Sequence, residues 1–143
     1  MIFLNQPENF APKFEVAGCF VEYAEKILLL HRHPDKPQGG TWCVPAGKLD
    51  RGEDAITAII RETKEETGFL LDRERLRFVK KTFVVYPEYQ FVYHLFKIKL
   101  NTMPNIKNKP DEHTDHKWVT PTEALKMDLI PDEDACIKLA YEI

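Results

Sequence analysis

The stretch Gly47–Phe69, GKLDRGEDAITAIIRETKEETGF, constrains this chain more than any other. Side chains three or four apart on an α-helix share a face. On that geometry Glu62, Glu65 and Glu66 point one way, while Ile56, Ile59, Ile60 and Thr63 form a separate, mostly apolar stripe suited to a core. Like charges so spaced destabilise an isolated helix by roughly a few tenths of a kcal/mol per pair, so the acidic face calls for a positive partner. Crowded carboxylate oxygens suit Mg²⁺ or Mn²⁺, which take octahedral oxygen coordination and also touch substrate phosphates. Ala55 and Ala58 are expected near the acidic side, where small side chains leave room for a ligand. Gly47 and Gly52 flank the loop before the helix, and Gly68 stands where a C-terminal glycine cap belongs.

Length and charge narrow the classes further. A chain of 143 residues fits one domain, 1–143, with residues 1–12 as a lead-in arm. Its net charge of −3 argues against a general nucleic-acid or membrane-surface binder and for a small-molecule substrate. Cys19, Cys43 and Cys136 are odd in number and widely spaced, which suggests neither a disulfide framework nor a zinc knuckle. With no signal-like start and no long apolar run, the expected setting is a reducing cytoplasm.

The spacing G-x5-E-x7-R-E-x2-E-E-x-G is filled by Gly47, Glu53, Arg61, Glu62, Glu65, Glu66 and Gly68, and it resembles the signature of the Nudix hydrolase family. Seven fixed identities arise by chance in a chain of this length with a probability below about one in a million. Two positions depart from the family pattern. Thr63 stands where an aliphatic residue is usual, and Ala46 replaces the glycine that normally precedes Gly47.

The resemblance implies an α/β fold, the Nudix-type α/β/α sandwich with a mixed sheet. It implies Glu62, Glu65 and Glu66 as ligands of Mg²⁺, with Mn²⁺ an alternative, and the Ala46 carbonyl as a further ligand. A carbonyl survives the change from glycine to alanine provided Ala46 needs no positive φ. Arg61 is expected to pair with a glutamate and orient it, and Glu53 with Gly47 to fix the loop behind the site. Several family members carry another carboxylate on the loop before a strand tryptophan, and Glu112 stands in that place, as a second-metal ligand or general base, with Asp115 its competitor. Any of Glu62, Glu65 and Glu66 not saturated by metal is the other candidate for the base. The reaction implied is hydrolysis of a pyrophosphate linkage. A compact single domain is similar to the family branch acting on nucleoside triphosphates, which implies monophosphate and pyrophosphate as products, with ADP-ribose, a dinucleoside polyphosphate, or a non-catalytic nucleotide-sensing role as alternatives.

Around the motif, Phe14 to Tyr23 and Lys26 to Arg32 are expected as a hairpin turning at Ala24-Glu25, and the run Ile27–Leu30 as a strand buried on both faces. Thr41 to Pro45 reads as a short strand with Trp42 in the core. The loop between holds Arg32, whose guanidinium matches phosphate geometry and marks it as a substrate-binding candidate beside the plainer reading of a solvated charge. Leu76 to Tyr86 and Tyr89 to Leu100 read as two more strands, with His94 a satisfied core histidine. Lys117 to Thr120 is expected as a last strand. A zinc site on His113 and His116 is disfavoured because cysteine ligands and the usual spacing are missing. Thr120, Pro121 and Glu123 form a capping box, and a terminal helix from Pro131 packs through Ala135, Cys136, Leu139 and Ala140.

Overall fold

The computed structural model describes residues 1–143. Strand β1 (Ile2–Phe3) is followed by β2 (Phe14–Tyr23), β3 (Lys26–Arg32), β4 (Trp42–Cys43) and β5 (Ala46–Lys48). Helix α1 (Ala55–Thr67) leads to β6 (Arg77–Val85), β7 (Gln90–Lys99) and β8 (His113–Val119), and the short α2 (Pro121–Ala124) and α3 (Glu133–Tyr141) end the chain. The strands form one sheet in the order β1-β6-β7-β2-β3-β4, with β5 on β2 and β8 on β3. Only β2 and β7 among these pairs run parallel, so the sheet is mixed.

Both faces of that sheet are covered. Leu28 and Leu30 join Ala58 and Ile59 of α1 in one core, while Leu29 and Ile27 join Cys136, Ile137 and Ala140 of α3 in the other. Successive residues of a strand point to opposite faces, so the unbroken run Ile27–Leu30 feeds two cores at once. The result is an α/β/α sandwich. No helix is long and apolar enough to cross a membrane.

The fold departs from the local pattern at several positions. The arm is tied down at its start, where Ile2 and Phe3 pair with Val84 and Phe83. The last strand begins at His113 rather than Lys117, because its first residues find partners on His31 and Arg32. Ala58 faces the core with no exposed surface and leaves no room for a ligand, while Ala55 packs against the same core. In α3, Ile137 joins the expected Cys136 at 0% exposed, whereas Leu139 is only partly buried. Trp42 is half-buried at the edge of its core, its ring tilted 31° against that of His31 with centroids 4.5 Å apart. His94 is half-buried, and its Nε2 lies 2.7 Å from Glu15 Oε1. Thr63, at the position where an aliphatic residue is usual, is 1% exposed and its Oγ1 has no hydrogen-bond partner. Such an orphan costs about 1–3 kcal/mol. Thr63→Val is therefore expected to raise the unfolding free energy by about 1 kcal/mol, read as a shifted urea midpoint with an unchanged slope.

Candidate active site

Helix α1 starts where Asp54 caps it, its Oδ1 accepting from the Thr57 N–H at 2.7 Å, and stops at Gly68, whose φ of 76° is open to glycine at little cost. Between those ends the register of the helix distributes the glutamates by depth. Glu66 is 5% exposed and its Oε1 accepts from the Ala46 N–H at 3.0 Å. Burial pushes its carboxyl well above the usual carboxylate range, with the neighbouring Glu62 and Glu112 charges adding to the effect. Glu62 is also raised, first by burial and against the pull of Arg61. Glu65 is the outermost, with about half its side chain exposed at 49%.

Arg61 organises this acidic face from behind. It grips Glu53 with two parallel bonds, Nε to Oε2 at 2.9 Å and Nη2 to Oε1 at 2.8 Å. Nη1 donates to Glu62 at 2.7 Å, and Nη2 also reaches the Lys48 carbonyl at 3.0 Å. Glu65 and Asp50 stand further off, each at 3.4 Å. Glu53 in turn accepts from the Asp50 N–H at 2.9 Å, and the Arg61 fork holds its carboxyl below the usual range. Every donor of Arg61 in these bonds is spent on the chain itself, and neither Arg61 nor Glu53 lines the cavity.

That cavity, of about 310 Å³, is lined by Arg32, Lys36, Ala46, Gly47, Lys48, Glu62, Glu66, Glu112 and His113. It brings Arg32 and Glu112 together with Glu62 and Glu66 although they lie on three different segments, while Glu65 stays outside the lining. Asp115 does not line it. Ala46 has an ordinary negative φ, so the departure from glycine strains nothing there. Gly47 has no such latitude: a Cβ on it would fall on the Glu62 carboxylate. Gly47→Ala is expected to displace Glu62, cost about 1–3 kcal/mol by overpacking, and disturb the acidic face, which a thermal melt together with a cation-binding titration would show.

A second cavity, of about 240 Å³, shares Arg32, Ala46, Gly47 and Lys48 with the first and continues between Phe14, Phe91, Tyr89 and Tyr93. Its floor carries Glu133, which is 2% exposed; Oε1 accepts from the Val44 N–H at 2.8 Å and Oε2 has no partner. Burial raises its carboxyl to about 7. Glu133 lies in the first turn of α3, where an acidic residue is ordinary and nothing local marks it as part of a cavity. The aromatic walls have no local signature either, because only the pairing of β2 with β7 sets Phe14 against Phe91. Lys48 lies outside the fixed positions of the motif, and His113, disfavoured as a zinc ligand with His116 for want of cysteines, reaches the cavity only through the fold.

An acid whose folded-state pKa is raised favours the fold below its unfolded value near 4.5 and loses that advantage as pH rises to about 7. Glu133→Gln is neutral throughout. The variant is expected to gain on the wild type by up to about 3 kcal/mol at pH 8 and by almost nothing at pH 4, measured by urea unfolding at both values.

A NUDIX domain family pattern matches residues 12–139. The chain belongs to the Nudix family. That family acts on phosphoric anhydrides and needs divalent metals. An uncharacterized Nudix hydrolase, YvcI of Bacillus subtilis, is 37% identical over 70 residues, an alignment covering 49% of this chain and 41% of that relative. This Nudix chain thus spans about two fifths of YvcI. The CTP pyrophosphohydrolase of Escherichia coli is 26% identical over 119 residues, covering 82% of this chain and 83% of the relative. Among solved structures, the MutT NUDIX hydrolase of Burkholderia pseudomallei superposes with a TM-score of 0.77 at 22% identity, covering 88% of this chain and 96% of that one.

Proposed function

We propose that this Nudix chain is a divalent-cation-dependent hydrolase that cleaves a nucleoside triphosphate to a monophosphate and pyrophosphate. The observation that carries the reading is the union of two cavities: a carboxylate-lined one that suits cations and phosphates opens, past Arg32 and Lys48, into an aromatic one that suits a base. The extent of similarity to the Escherichia coli CTP pyrophosphohydrolase, more than four fifths of both chains, supports a triphosphate.

The residues fit a divalent cation. Glu66 is a buried carboxylate whose proton affinity is raised by burial, a state that a cation relieves, and Glu62 and Glu112 face the same cavity. Mg²⁺, or Mn²⁺ in its place, would be held by Glu62, Glu66, Glu112 and the Ala46 carbonyl, which leaves Glu65 unsaturated. When bound, the cation neutralises the anhydride and lowers the pKa of the attacking water. Arg32, whose Nε donates to the Pro37 carbonyl at 2.8 Å, is steadied at the shared rim with its remaining donors available to a phosphate oxygen. Lys48 adds a second positive charge, its Nζ resting 4.2 Å from the Phe14 ring centroid. Glu65, the most exposed of the helix carboxylates, takes the proton of the water as its oxygen attacks phosphorus and pyrophosphate departs. Arg61 and Glu53 hold Glu62 in place and touch no substrate. The nucleoside sits against the cluster of Phe14, Phe91 and Tyr89, where stacking contributes about 1–3 kcal/mol per base.

The test is a panel of nucleotides incubated with Mg²⁺ and the products identified. Free pyrophosphate from a nucleoside triphosphate is the expected result. Two monophosphates from ADP-ribose, with triphosphates untouched, would replace this reading, and no turnover of any nucleotide that nevertheless binds would make the chain a sensor.

A further inference from the structure

His113 opens β8 opposite Arg32, and the pairing with β3 slips at that point: Asp115 faces His31 while His113 faces Arg32, leaving Thr114 as an extra residue. A bulge of this kind re-aims the side chains beside it. Thr114 is exposed and its Oγ1 lies 3.2 Å from His31 Nδ1, whereas His113 is turned inward and is 2% exposed. Backbone bonds fix the corner. The His113 N–H donates to the Lys109 carbonyl at 2.8 Å, and the Glu112 carbonyl accepts from the His33 N–H at 2.9 Å.

Buried polar atoms are normally partnered. In His113 one nitrogen is and the other is not. Nε2 lies 3.9 Å from Cys43 Sγ, and the Cys43 thiol donates to the Leu30 carbonyl at 3.7 Å. With the thiol hydrogen committed to Leu30, the sulfur accepts from Nε2–H, which places the ring proton on Nε2 and leaves Nδ1 a lone pair. Nδ1 is buried and has no partner. A ring nitrogen of His113 and one oxygen each from Glu66 and Glu112 lie within 4.8 Å of one another, and all three side chains line the carboxylate cavity.

We propose that His113 supplies a nitrogen ligand to the cation gripped by Glu66 and Glu112, and that this nitrogen makes the site select Mn²⁺ over Mg²⁺. The inference rests on the reading of this cavity as a cation-dependent hydrolase centre and adds the identity of the ion. Mg²⁺ keeps to oxygen ligands and gives up water reluctantly, whereas imidazole nitrogen is a better partner for a first-row transition ion. Adjacent ligands on an octahedral ion stand about 3 Å apart, so the three groups must close in. Glu112 is free to do so: its side chain is 35% exposed and its ion pair with Lys109 is a loose 3.5 Å. A ligating histidine also donates its second N–H to a fixed acceptor, and the Cys43 sulfur behind Nε2 is that acceptor. His116, the other histidine near the strand, bonds through Nδ1 to Asn108 Oδ1 at 3.1 Å and is not part of the cluster.

Pulsed electron paramagnetic resonance on the full chain with one equivalent of MnCl₂ tests this directly. Modulation from a coordinated ¹⁴N is expected, replaced by the ¹⁵N pattern in protein grown on ¹⁵N-histidine, a result that needs no variant to fold. His113→Gln is expected to abolish the nitrogen signal and to weaken Mn²⁺ on the order of 10-fold, with Mg²⁺ affinity little changed. A Mn²⁺ spectrum with oxygen ligands only, or a nitrogen signal that survives in a folded His113→Gln, overturns the histidine ligand and leaves the hydrolase reading standing. Failure to bind Mn²⁺ or Mg²⁺ at all overturns both.

Discussion

Glu66→Gln is expected to lower kcat by on the order of 1,000-fold or more, a loss of about 4 kcal/mol in transition-state stabilisation, while the chain stays folded. The carboxylate lies at the bottom of the cavity at 5% exposure, and burial disfavours its charge. A divalent ion beside it reverses that penalty, and an amide of the same shape does not. Because glutamine keeps the oxygen that accepts from the Ala46 N–H, the packing between α1 and β5 survives. The same replacement removes a burial penalty, so the variant's unfolding midpoint is expected to stay level or rise. Glu65→Gln is expected to cost turnover on a similar scale at unchanged cation affinity, since its carboxylate is exposed and serves as the base. Steady-state rates with Mg²⁺ or Mn²⁺, set beside calorimetric ion binding, separate the two. Near wild-type turnover in both would end the assignment of the acidic face.

Arg61→Ala is expected to damage stability and activity together. Its fork joins Glu53, Glu62 and the Lys48 carbonyl, so removing it leaves two carboxylates close to one another without their counter-charge. The side chain is 27% exposed, and solvent therefore softens the loss to about 2 kcal/mol, below the 3–5 kcal/mol of a fully buried broken pair. Turnover should fall about 10- to 100-fold, the scale of losing a group that orients a metal ligand. Arg61→Lys restores the charge but not the planar fork, and most of the deficit should remain. An unfolding curve and a kcat measurement on both variants check this. A large kcat loss in Arg61→Lys without any change in Glu62-dependent cation affinity would instead point to contact with substrate.

What could be read in advance follows local rules. The hairpin of β2 and β3 and the capping box of α2 have the bounds expected, because turn chemistry and alternation act over a few residues. Helix α1 is equally local: apolar residues at helical spacing, a cap at Asp54 and a glycine at Gly68 specify it without reference to the rest of the chain. The motif on it singles out the acidic residues for the same reason, since helical periodicity alone sets Glu62, Glu65 and Glu66 near one another. Tertiary contacts alone decided how deep each one lies.

Local pattern specifies a mixed α/β chain whose chemistry gathers on one acidic helix, because a helix presents its side chains by a fixed turn per residue. Only the folded sheet decided that Phe14 and Phe91 face each other across parallel strands, that Glu133 closes the floor beneath them, and that a bulge turns His113 toward Glu66 and Glu112. Those groups are separated by tens of residues along the chain. Their meeting depends on strand order and register, which no local periodicity encodes.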